Sequence, residues 1–322
     1  MKDTDYAFCV ARIRANEKKL LDSSFMNKLA SCGSFESAVG MLSDIGWCES
    51  STSVRDIINI QNKKLWSLIS DSVPDKKEAD CLCVLNDFFN IKCAVKCAFT
   101  EEDPAGYFIY PSSLDTDELK KVILTKKFSS FGKTEFALCA KEAYELACKT
   151  ENGQNAEIVI DCATLEALAH YSEIRKNSLF SKICDLFVDT ANIKTAFRCI
   201  SAGKNADFVR NAITGCRHIS RSTLCSCVAE GDESLMTYLA RTRYSEGAQL
   251  YGNGPVLFDK WCDESIIRLV SKAKYTAFGF DPVCAYYYTR LNEIKNVRII
   301  LTALQSGISA DKITERLRCP NV

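Results

Sequence analysis

Several groups of residues have types and spacings that chemistry could use. "FGKT" (131–134) ends as a phosphate loop ends, with Gly132, Lys133 and Thr134. A loop that wraps a phosphate needs a second glycine five residues before Gly132, and that position is Lys127. Cys216 and His218 could pair as nucleophile and base, yet no third member or Gly-rich oxyanion segment accompanies them. His170, in "ALAHYSEI", falls on a helical pattern and is expected at that helix's edge. "YGNG" (251–254) lacks the strand-to-helix fingerprint of a dinucleotide site, and the acid pairs Glu101/Glu102 and Asp263/Glu264 read as solvated charge near loops or helix ends. No catalytic residue, cofactor site or metal site is expected. Of Tyr286, Tyr287 and Tyr288, which cover most of a helix circumference, at least one is expected inside and one outside.

The 18 cysteines invite a metal or disulfide reading. No C-x-x-C occurs, the closest pairs being Cys81/Cys83 and Cys225/Cys227, and there are only 2 histidines. The start, "MKDTDYAFCVARIR", has no apolar signal-peptide core, so a cytosolic protein with reduced thiols is expected. Most cysteines then serve as small buried hydrophobes.

The 322 residues are 47% hydrophobic and 25% charged, a globular balance. Lys+Arg and Asp+Glu both number 41, which argues against nucleic acid as the main partner. No run approaches 18 apolar residues, so any membrane role is peripheral.

The elements that must position these residues read as helices. Leu179, Ile183, Leu186, Thr190, Ile193, Phe197 and Ile200 form one stripe, and Tyr287, Leu291, Ile294, Val297, Leu301 and Leu304 another. Asp281 is expected as the N-cap of the second helix, with Pro282 at its first helical position. "EIVID" (157–161) and "PVLFD" (255–259) are β-like but too isolated to build a sheet. The chain reads as all-α.

Two of these helices carry an asparagine where helix interiors disfavour one. "D-x-x-N-I-K" occurs at 87–92 and 189–194, and "RLNEIKNVR" supplies a third copy. Ile91, Ile193 and Ile294 lie 102 and 101 residues apart. Leu21-Asp22, Ile160-Asp161 and Phe258-Asp259 recur in the same order, each Asp expected to cap a following helix. The order predicts three divergent helical units, 1–113 (with an insertion), 114–218 and 219–322, in a funnel-like pseudo-threefold arrangement. Asp87/Asn90 and Asp189/Asn192 are expected to hydrogen-bond across helix junctions, with Arg290/Glu293 as their third counterpart. Lys92/Lys96, Lys194/Arg198 and Lys295/Arg298 form basic pairs one turn apart, expected either to pack against acids or to face an acidic partner.

The run "KYTAFGFDPVCAYYYTRLNEIKNVRIILTALQSGISADKITERLR" resembles the C subunits of the V/A-type rotary ATPases, relatives of the d subunit of eukaryotic vacuolar ATPases (the AC39 family). The similarity rests on "AFGFDPV-x-A-Y", "N-E-I-K-N-V-R-I-I-L" and the final "I-x-E-R-L-R", with weaker support from "YAFCVARIRANEKKLL". It implies a non-catalytic rotor component without cofactor. Such a component would seat the central shaft of the catalytic head on the cytoplasmic face of the membrane proteolipid ring. Between residues 268 and 318 basic side chains outnumber acidic ones by nine to four, which suits an electrostatic partner surface. A free-standing helical adaptor and an enzyme with an unrecognised site are the competing expectations.

Overall fold

Runs of helix formers broken by Asp, Asn, Ser and Gly produce a chain of helices, and among the described residues no strand. The computed structural model describes residues 2–49, 53–104, 106–128, 134–273 and 275–319. In order the helices are α1 Ala7–Glu17, α2 Ser23–Ala30, α3 Phe35–Asp44, α4 Val54–Ser70, α5 Lys76–Ala79 and α6 Val84–Thr100. There follow α7 Thr116–Thr125, α8 Thr134–Thr150, α9 Gly153–Ile174, α10 Leu179–Ser201, α11 Ala206–Ala212 and α12 Arg221–Glu230. The last are α13 Asp232–Leu239, α14 Ser245–Gly252, α15 Pro255–Ser271, α16 Phe280–Gln305 and α17 Ala310–Arg316. The "FGKT" motif lies outside the described residues up to the start of α8.

Side-chain caps set eight of the helix starts among the described residues. Asp22, Ser34, Ser53, Asp115, Asn152, Ser178, Asn205 and Ser220 each accept a backbone N–H of the first turn. Each such cap contributes about 1 kcal/mol. Three expectations about starts are corrected. Asp161 and Asp259 lie inside α9 and α15, whose N-caps are Asn152 and Gly254. "EIVID" and "PVLFD" are absorbed into those same helices. Asp281 does not cap α16, which starts one residue earlier from Gly279. Gly279 has φ +88, its N–H donates to the Asp3 carbonyl at 3.2 Å, and an added Cβ would meet Asp3 Oδ1 at 2.9 Å. That close approach, not the Asp-Pro dipeptide, sets the start.

The chain divides into two compact units, residues 80–252 and residues 1–79 with 253–322. In the first, α9 packs against α6, α8 and α10; α7 covers α6; and α12 joins α10 to α13, which in turn touches α14. Phe88 meets Phe136 edge to face at 5.0 Å, while Phe180, Ile183 and Ile193 are fully buried. In the second unit α16 is the axis, touched by α1, α2, α3, α4, α15 and α17. That enclosure corrects the tyrosine expectation: Tyr286, Tyr287 and Tyr288 are all buried. The first half of α16 has no exposed residue, whereas Arg298, Thr302 and Gln305 of its second half reach solvent; burying each large side chain contributes about 1.5–3 kcal/mol.

Candidate functional site

The polar residues of the signature helices do one job in α6 and α10. Asn90, fully buried, donates from Nδ2 to the Ile109 carbonyl at 3.0 Å and accepts the Ile109 N–H at 2.9 Å. An amide presents one donor and one acceptor side by side, which matches the peptide groups of a single extended residue. Asp87, one turn earlier, accepts from Ser112 Oγ at 2.7 Å and from the Ser113 N–H at 2.8 Å. In α10, Asn192 accepts the Thr214 N–H at 3.0 Å, and Asp189 accepts the N–H groups of Arg217 and His218 at 2.7 and 2.8 Å. The offsets agree: asparagine takes one residue of the returning segment, and aspartate takes the residues three and four further on. Tyr244 adds a bond to Asp189 at 2.7 Å, and burial next to that carboxylate pushes its phenol upward.

In α16 the same clamp falls on Asn296, which the repeat pattern did not single out. It donates to the Arg318 carbonyl at 3.2 Å and accepts the Arg318 N–H at 2.9 Å. The acid three residues before it is Glu293, so by geometry Glu293/Asn296 correspond to Asp189/Asn192. Arg290 sits one turn earlier, hydrogen-bonded to Glu293, bonded to Gln61 at 2.5 Å and stacked 4.5 Å over the Trp47 ring. Burial raises the Glu293 carboxyl to about 7, opposed by Arg290 and by the Leu21 N–H. Its Oε2 finds no hydrogen-bond partner among the described residues. The signal available in the sequence was "E-I-K-N", an acid and an asparagine at the spacing of the other two copies.

The basic pairs separate into inner and outer members. Lys92 pairs with Asp161 at 2.5 Å, and Lys295 pairs with Asp263 at 2.5 Å; both lysines are half-buried, as is Lys194. Lys96, Arg198 and Arg298 are exposed. Asp263 also receives Arg318 Nε at 2.9 Å, so it belongs to a packed ion cluster rather than to a solvated charge run.

The suspected reactive groups lack the required electrostatics. Burial pushes the Cys216 thiol up to about 12, away from the thiolate a nucleophile needs, and its Sγ faces the Thr214 carbonyl. His218 Nδ1 lies 3.3 Å from Asp189, within the α10 junction. His170 is exposed beside Tyr171. The cysteines are thiols rather than disulfides, and among the described residues no His/Cys/Asp/Glu group could hold a metal.

A family model described as ATP synthase (C/AC39) subunit matches residues 9–316. The C subunit of the A-type ATP synthase of Methanocaldococcus jannaschii is 23% identical, over 97% of this chain and 86% of that protein. The C subunit of the V-type sodium ATPase of Enterococcus hirae is 22% identical, over 80% of each chain. The C subunit of the A-type ATP synthase of Thermococcus kodakarensis is 24% identical, over 98% of this chain and 90% of that protein.

Proposed function

Because the chain belongs to the ATP synthase (C/AC39) subunit family, we propose that it is a non-catalytic central-stalk subunit of a V/A-type rotary ATPase. It couples the rotor shaft of the catalytic head to the proteolipid ring, for ion transport or ATP synthesis. Its partners are the shaft subunits and the ring, and it works on the cytoplasmic face. The family match across 9–316 carries this reading.

The residues support it in three ways. No described helix is long and apolar enough to cross a membrane, which suits a peripheral part. The asparagine clamps tie each signature helix to its returning segment, and a part that transmits torque requires such stiffness. Their recurrence at Asn90, Asn192 and Asn296, spaced 102 and 104 residues, favours three units, 1–113, 114–218 and 219–322, arranged as a pseudo-threefold funnel. Lys96, Arg198 and Arg298, the exposed basic residues, would then contact acidic partner surfaces.

Affinity purification of the tagged chain from native membranes tests the reading. Shaft subunits and the proteolipid should co-elute in fixed ratio. Recovery of the chain alone, with an intact ATPase left in the membranes, would defeat it.

A further inference from the structure

A groove of about 830 Å3 opens within the unit formed by 1–79 and 253–322. Its walls come from α1, the turn after α3, the second half of α4, and α16. Five cations line it: Arg12, Lys19, Lys63, Lys64 and Arg290. Among the described residues no carboxylate does. The chain as a whole carries 41 basic and 41 acidic side chains, so this one-sided lining is a local departure from the average. Among the described residues no carboxylate pairs with Arg12, Lys19 or Lys64; Lys64 instead donates to the Gly46 carbonyl at 3.2 Å. Arg290 is held at the floor by Glu293, Gln61 and the Trp47 ring.

The rest of the lining decides between anions. A compact phosphate is usually gripped by the N–H groups of a helix N-terminus or a turn. Here the N–H groups of Lys19, Leu20, Gly46 and Trp47 are already bonded to backbone carbonyls, so the donors left for an anion are the widely spaced side chains. The α4 wall begins at Gln61, well past that helix's start at Val54. Beside the polar Asn16 and Ser67, the wall carries an apolar strip of Leu20, Ile45 and Leu68, with Ile45 44% exposed. Long flexible cations beside an apolar strip match carboxylate side chains spaced along a protein segment that also carries apolar residues. We propose that this groove seats an acidic amphipathic segment of a neighbouring protein in the ATPase. The inference rests on the stalk reading and names one of its contact surfaces.

The test uses the complex purified from native membranes. A carbodiimide activates a carboxylate, which a touching lysine amine then attacks to form an amide, the oxygen leaving with the urea by-product. Lys19, Lys63 and Lys64 should cross-link to Asp or Glu of another polypeptide of the complex. Their acetylation should be slowed several-fold in the complex relative to the free chain, while Lys120 and Lys141 stay unchanged. The paired reversal Lys19→Glu/Lys64→Glu should leave the melting temperature intact and lower incorporation about tenfold, as expected for loss of about 1.4 kcal/mol. Equal acetylation in complex and free chain would overturn the inference while leaving the stalk reading standing. So would full protection of the free chain by inorganic pyrophosphate or by phosphatidylglycerol vesicles. A chain absent from the complex would overturn both.

Discussion

The α10 junction and the α16 junction solve one packing problem with different margins. In α10 the buried Asp189 is bonded by two backbone N–H groups and the Tyr244 hydroxyl, and Asn192 holds Thr214 in a segment enclosed between α11 and α12. In α16 the clamp on Arg318 persists, but the acid is the longer Glu293, with one oxygen unpartnered among the described residues and its charge balanced by Arg290. The asparagine is the shared device because it satisfies backbone groups, which every sequence has. The acid adapts, because its donors come from whatever the return segment or a neighbouring helix provides.

That contrast yields expectations of decreasing size. Asn192→Ala orphans a buried peptide group in a segment fixed at both ends and leaves a small void, costing about 3–4 kcal/mol. Asn296→Ala should cost about 1–2 kcal/mol, since Arg318 is also held by Asp263 and by the Arg316 carbonyl and keeps its place without the clamp. Urea midpoints and hydrogen exchange across 206–219 measure both, and an equal or reversed ranking would break the comparison.

The next effect depends on pH. Glu293 is raised from 4.5 to about 7 in the folded chain, so the folded state holds a proton that the unfolded state releases. Its contribution is therefore full below about pH 4.5 and is lost as pH rises to about 7, up to about 3 kcal/mol in all. Relative to the parent, Glu293→Gln should gain stability as pH rises from 5 to 8. Parallel melting-temperature curves for the two proteins would remove the role assigned to the unpartnered oxygen. Smallest is the split within the third basic pair. Lys295→Ala should cost about 1 kcal/mol through its partly exposed ion pair, and Arg298→Ala less than about 0.5 kcal/mol. Equal losses in thermal melts would erase the inner and outer distinction.

Much of the helical frame was legible in the residues. Asp22 and the stripes of α10 and α16 act as their patterns predict, because capping and amphipathic periodicity operate within a few residues. Asp161 and Asp259 misled because an aspartate after apolar residues is also tolerated inside a helix, where Asp161 pairs with Lys92. The third clamp was misplaced by three residues because the pattern followed isoleucine spacing. The groove was invisible because Arg12, Lys64 and Arg290 meet only after folding.

The chain's own order of residue types determined an all-helical protein with a recurring buried asparagine and no described helix able to span a membrane. Those properties rest on short-range forces: backbone propensity, capping and the period of the apolar face. Only the tertiary structure decided which peptide each asparagine grips, which carboxylate is left with an oxygen unpartnered among the described residues, and where five cations line one groove. Partners separated by 19 to 229 residues are chosen by packing, and no local pattern encodes that choice.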